Sequence, residues 1–107
     1  MYASIRRYQL IDGSMDDLLH LIDTDFAESI SDADGFVGYE VLDCDDGRIC
    51  TVSIFRDREA ALASDGLAME WVRSTLAPQF ALTRTDTMLG EVSVSRVASE
   101  MLEPAHH

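Results

Sequence analysis

The chain contains no lysine. Its basic residues are eight arginines against 20 aspartates and glutamates, a formal charge of −12 over 107 residues. A surface of that sign repels phosphate, so nucleic acid and anionic membranes are disfavoured as partners, and its plainest role is to keep the protein soluble. Histidine is almost missing: His20 is the only one before the terminal pair His106 and His107, which read as appended residues and carry no functional argument. There are two cysteines, Cys44 and Cys50, and without nearby histidines they fall short of a zinc set, so no metal site is expected. No Gly-rich phosphate loop, Ser-His-Asp set or nucleotide fingerprint is present, which removes most common enzyme classes. No apolar run approaches the length of a membrane span, and the opening MYASIRRYQLIDG lacks a signal peptide's apolar core. A soluble, cytoplasmic protein is expected.

What the chain does contain is ordinary globular material, 47% apolar and 26% charged, enough for one domain with a limited core. Its organising stretch is GFVGYEVLDCDDGRICTVSIF, residues 35–55, two strand-like runs joined by Asp45-Asp46-Gly47, which reads as a β-hairpin. If the loop has three residues, Cys44 pairs with Arg48 and Cys50 with Leu42; if it has two, Cys44 pairs with Ile49. Neither register sets the sulfurs opposite each other, so free thiols are expected. Both parities of both runs are largely apolar, so the hairpin expects cover on both faces.

In chain order, residues 2–11 form a first strand and Asp12-Gly13 breaks it. Ser14 caps a helix over residues 15–30, whose apolar positions Leu18, Leu19, Ile22, Phe26 and Ile30 recur at helical spacing. After the hairpin, Asp57 caps a second helix that ends before Pro78, with Gly66 a possible site for a kink. Residues 77–89 have no clear period and read as a connection with room for one extended piece. Gly90 opens EVSVSRV, whose alternation of Val92 and Val94 with Glu91, Ser93 and Ser95 reads as the last strand; the tail after Ala98 has a weak helical look. The order is β, α, β, β, α, β, which suits an α+β fold, a ferredoxin-like βαββαβ with a four-stranded antiparallel sheet and both helices on one face. A domain over residues 1–97 and a tail over 98–107 follow.

The opposite sheet face would then expose Ile5, Val52, Ile54 and Val94, more than a soluble monomer usually tolerates. A two-fold homodimer stacking sheet against sheet removes them from water. If each subunit buries ~800 Å², the apolar transfer term reaches several tens of kcal/mol before entropy costs.

At this point the residues resemble a family. The Asp-Gly after a charged first strand, the capped helix, Gly-Phe-x-Gly-Tyr (35–39), the hairpin closing on Phe55-Arg56-Asp57 and the Ala-x-x-Trp-Val of the second helix (68–72) together look like the dimeric α/β-barrel proteins of the antibiotic biosynthesis monooxygenase (ABM) superfamily. The resemblance covers residues 1 to about 97 and implies fold far more than activity. The superfamily includes cofactor-independent quinone-forming monooxygenases, haem-degrading enzymes and isomerase-like relatives. In the haem-degrading branch an Asn, a Trp and an axial His form the site. Their positions here hold Arg6, Phe55 and Trp71, so the His is missing and no prosthetic group is expected.

A cofactor-free oxygenase needs an apolar pocket around an electron-rich phenol, with a few polar groups to orient it. The space between the sheet and its own helices could supply one. If Phe55 faces the helices, Thr51 and Ser53 share its face, and Tyr39 joins them in the three-residue-loop register; Arg6 and Tyr8 of the first strand point into the same space. The candidate substrate-binding residues are therefore Arg6, Tyr8, Tyr39, Thr51, Ser53, Phe55 and Trp71, with Arg6 able to favour a phenolate and no evident general base. The plainer alternatives are that the aromatics are core packing and that Arg6 is a structural ion pair with Glu40, Glu91 or an acidic group of the other subunit. Two functions follow: a cofactor-free monooxygenase-like enzyme for a small aromatic or polyketide-type molecule, or a non-catalytic dimeric module for ligand binding or assembly. An open, partly polar cavity favours the first, and a space filled by Trp71 and Phe55 favours the second.

Overall fold

The computed structural model describes residues 1–97. The tail after Ala98, where a weak helix is expected, and with it His106 and His107, lies outside the described residues. Four strands form one antiparallel sheet in the order β2-β3-β1-β4: β1 is Tyr2–Asp12, β2 Phe36–Asp43, β3 Arg48–Phe55 and β4 Ala81–Glu91. Two helices, over residues 15–31 and 58–76, pack on one face of it. This is the expected ferredoxin-like βαββαβ order.

The caps are those the sequence specifies. Ser14 Oγ accepts from the Asp17 amide at 3.3 Å and Asp57 Oδ1 from the Ala60 amide at 2.8 Å. The first helix buries Leu18, Ile22, Phe26 and Ile30, each four residues from the last. In a regular α-helix three such steps rotate the stripe by roughly 120°. A π-helical turn at Ile22–Phe26, between α-helical turns Met15–Leu21 and Ala27–Ser31, takes back part of that drift and keeps the stripe on the sheet. The second helix runs unbroken through Gly66, correcting the expected kink: nothing lies within 4 Å of where a Cβ would stand, and Ala61 and Ala68 on either side anchor the turn. Its irregularity comes later, as a second π turn at Val72–Leu76.

The hairpin takes the three-residue loop. Cys44 and Arg48 are bonded across it, with Cys44 N donating to Arg48 O at 2.9 Å, and Leu42 pairs with Cys50. Asp45, Asp46 and Gly47 all have positive φ, a conformation Asp and Gly tolerate better than other residues. Gln9 Nε2 donates to Asp46 O and Leu10 N to Gly47 O, tying the loop to β1. Both cysteines are free.

The last strand differs from expectation. It is Ala81–Glu91, mostly within the 77–89 stretch read as a connection and overlapping the expected strand only at Gly90 and Glu91, while residues 92–97 have no regular structure and Val94 is 83% exposed, away from the sheet. The cause is a bulge. Arg7 pairs with Asp86 but Tyr8 with Arg84, so Thr85 is left over and the alternation changes parity halfway along. Leu82 and Arg84 share the helix-facing side with Thr87 and Leu89, a pattern that no single period of two can match.

On the helix-facing side the core falls into two parts. One gathers Tyr8, Leu18, Ile22, Ile49, Leu76 and Phe80; the other gathers Phe26, Ile30, Phe55, Ala61 and Ala68. Between them runs a polar stripe, Ser4 opposite Ser53 and Arg6 opposite Thr51, all buried. The other sheet face carries Ile5, Cys50, Val52 and Ile54, half-buried within the single chain, with Leu42 and Met88 more exposed beside them. Ile5, Val52 and Ile54 thus lie where expected. No helix among the described residues is long and apolar enough to cross a membrane.

Candidate functional site

The polar stripe is the unusual feature of this core, because a buried cation is costly unless something in the structure or a ligand balances it. Arg6, 1% exposed, sits at the middle of β1 and faces the helices; its neighbour Arg7 points the other way and is exposed. The guanidinium donates from Nη1 to Ser4 Oγ at 3.2 Å and from Nη2 to Ser53 Oγ at 2.8 Å. Its nearest carboxylate is Asp65 of the second helix, 3.9 Å from Nη1. That corrects the expected partners: neither Glu40 nor Glu91 holds Arg6. Asp65 is more closely engaged by Arg84 of β4, at 3.0 Å. Arg84 also donates from Nη2 to the Tyr8 hydroxyl at 3.2 Å and lies 5.6 Å from that ring's centroid.

Above Arg6 a void of about 20 Å³ separates sheet from helices, roughly the room one water needs. Arg6, Tyr8, Tyr39, Thr51 and Trp71 line it, so the structure brings five of the seven candidates together. Ser53 stands behind it, engaged with Arg6, and Phe55 belongs to the core beyond, edge-on to Phe36 at 5.9 Å. Phe26 is the aromatic wall the sequence reading missed. It stacks tilted on Trp71 at 5.2 Å and edge-on to Tyr39 at 5.6 Å, and its place on the first helix's apolar stripe was the available signal. Asp65 was missed too, although it lies four residues after Ala61 and three before Ala68, a carboxylate on the packed face of a helix.

The electrostatics of the site are one-sided. Burial pushes the Tyr39 phenol well above the usual tyrosine range, with Arg6 pulling against that rise and Tyr8 adding to it. Tyr39 therefore stays protonated and can donate a hydrogen bond, but it is not a base. Arg6 Nε, Thr51 Oγ1 and Trp71 Nε1 are buried without a hydrogen-bond partner. Among the described residues the void's lining includes no carboxylate, His, Cys or Met, and no three His, Cys, Asp or Glu side chains gather as a metal set.

The fold is one shared with solved structures. The chain has the ferredoxin-like fold of the antibiotic biosynthesis monooxygenase proteins. A dimeric ferredoxin-like protein from an uncultured marine organism superposes with a TM-score of 0.68 at 14% identity, over 91% of this chain and 98% of that one. SnoaB, a cofactor-independent oxygenase from Streptomyces nogalater, matches at 0.66 and 12% identity, over 88% and 94%. The monooxygenase ActVA-Orf6 of Streptomyces coelicolor, solved in complex with nanaomycin D, matches at 0.65 and 13% identity, over 92% of each chain. No family model and no curated protein matches the sequence. At these identities the likeness is one of fold.

Proposed function

We propose that this protein is a homodimeric, cofactor-free monooxygenase-like enzyme that acts on a small aromatic or polyketide-type molecule held between the sheet and its helices. The observation that carries the reading is the buried Arg6 cation, whose Nε has no partner and whose side chain lines a space walled by Phe26, Tyr39 and Trp71. A core built only for stability has little use for such a group. The fold shared with SnoaB and ActVA-Orf6 supports the reaction class. In it, dioxygen is the oxidant. An anthrone-type methylene becomes a quinone carbonyl, one oxygen atom entering the ring system and the other leaving as water. The protein's part is to orient the ring, exclude bulk water and favour the electron-rich anion that dioxygen oxidises.

The smallness of the void favours a second reading, a non-catalytic dimeric ligand-binding or assembly module, since Trp71 and Tyr39 occupy much of the space. Anthrone incubated with the protein in air separates the two. Anthraquinone forming well above the protein-free rate, with one dioxygen consumed per product, is the expected result; a rate equal to the protein-free control contradicts the enzyme and leaves the module.

The dimer rests on the outer sheet face. Ile5, Leu42, Cys50, Val52, Ile54 and Met88 form an apolar surface that the chain's own helices leave uncovered. A second copy stacked on it covers that surface, and the ferredoxin-like neighbour from the uncultured marine organism is itself dimeric. Light scattering at micromolar concentration is expected to give about 24 kDa, twice the 11.9 kDa chain. A stable species at the mass of one chain contradicts it.

A further inference from the structure

The two helices carry unlike outer surfaces. On the first, every exposed residue from Asp16 to Ser31 is polar, in keeping with a chain of net charge −12. The second is turned about: its buried positions hold the small residues Ala61, Ser64 and Ala68, while Leu62, Leu67 and Met69 stand outside, Met69 57% exposed. A surface helix ordinarily turns its large apolar residues inward. Gly66 lies among the outward ones. Glycine is the least favourable helix-interior residue after proline, yet a Cβ here would meet nothing within 4 Å. Nothing inside the subunit requires it. A second backbone coming close from outside would.

The exposed residues Glu59, Leu62, Gly66, Met69 and Arg73 follow one another at alternate steps of three and four, the spacing of a helix–helix seam. Gly66 is the midpoint, with Glu59 and Arg73 at its two ends, each roughly 10 Å away along the axis. A second copy laid antiparallel across Gly66, on a two-fold axis, sets Leu62 beside Met69 of the other copy. It also sets Glu59 opposite the other copy's Arg73, at both ends at once. A parallel copy would set Glu59 against Glu59 and Arg73 against Arg73. The seam thus complements itself in one orientation only. Arg73 is paired with Glu70 of its own helix, an exposed ion pair of the kind that contributes little and is readily exchanged.

We infer that the outer face of the second helix is a self-association surface, on which two copies pair antiparallel about Gly66. It lies on the opposite side of the subunit from the apolar sheet face, so it joins sheet dimers rather than competing with them, and it does not depend on their forming. The strip buries on the order of 300 Å² per copy, against ~800 Å² for a standard interface, so the pairing is weak and shows well above micromolar concentration.

Sedimentation equilibrium near physiological salt tests it, since such salt screens the repulsion between like-charged chains and spares pairs in contact. As protein is raised from about 10 μM to about 1 mM, the mean mass is expected to climb toward twice its micromolar value. Failure of the sheet dimer reads differently, as a micromolar mass of one chain. Glu59→Arg and Arg73→Glu each place like charges at both ends of the seam and are expected to keep the micromolar mass throughout. An equal mixture of the two restores opposite charges at both ends and should climb as the parent does. Gly66→Gln fills the seam without a clash inside the subunit, and is expected to raise Tm and abolish the climb. A constant parent mass, a climb that persists in any single variant, or a mixture that does not climb overturns the inference. If a charge variant fails to fold, the parent and Gly66→Gln series decide the matter.

Discussion

Phe55→Ala is expected to cost about 3–5 kcal/mol of folding stability, the range for removing a fully buried aromatic ring. Phe55 has no exposed surface and packs with Phe26, Ile30, Ala61 and Ala68, and its ring meets Phe36 edge-on. It closes β3 where that strand pairs with both Phe36 and Tyr2, so its loss opens a cavity that strands on two sides must collapse to fill. Domains of this size are stable by about 5–15 kcal/mol. The variant should therefore sit near the edge of unfolding, and urea denaturation followed by circular dichroism measures the loss. A cost below about 1 kcal/mol would mean that Phe55 borders open space rather than core. Because Phe55 does not line the void, any loss of activity in this variant reports on folding rather than on chemistry.

Much of this architecture was legible in particular residues. Ser14 and Asp57 mark their helices because a side-chain oxygen placed before a helical run meets an otherwise unpaired amide. Asp45-Asp46-Gly47 set the hairpin, and the hairpin register put Tyr39, Thr51 and Ser53 on the helix-facing side with Phe55. What escaped was β4. Its helix-facing positions hold Arg84 and Thr87 as well as leucines, and the bulge at Thr85 moves the pattern from one parity to the other. Val92 and Val94 alternate more cleanly and still form no strand, since β1 is already paired along its length by residues 81–91.

The site was legible as a set of residue types and obscure as a network. One of the neighbours Arg6 and Arg7 had to face inward, and it is Arg6, but its partners come from elements far apart in sequence. Ser53 is 47 residues away and Asp65 lies on the second helix. Periodicity reports which face a residue occupies, not which distant residue meets it there. Phe55 and Trp71 looked equivalent as large aromatics on core-like spacing. The structure divides them: Phe55 is sealed in one core cluster, while Trp71 packs against both clusters and borders the void.

The second large effect is expected at Arg6, where stability and binding should part company. Arg6→Met keeps an unbranched chain of nearly the same reach and removes the charge. Burying an incompletely balanced cation costs several kcal/mol, and the variant is relieved of it. Against that, Ser4 and Ser53 each lose a donor, worth about 1–3 kcal/mol apiece if left unpaired. They stand directly opposite each other on β1 and β3, so their hydroxyls can turn to bond one another. Asp65 keeps its ion pair with Arg84 at 3.0 Å. The opposing effects roughly cancel, and the fold should lose no more than about 1 kcal/mol. Binding is different, because the only charged donor among the described residues at the void disappears. Affinity for the phenolate form of 4-nitrophenol should fall by about 100-fold or more, as for a lost charge-assisted hydrogen bond together with its field.

The most direct measurement is thus the urea stability of Arg6→Met set beside its affinity for 4-nitrophenol. A variant as stable as the parent that no longer holds the phenolate is the predicted outcome. A loss of about 3–5 kcal/mol, the signature of a broken structural ion pair, with phenolate binding retained, would contradict it.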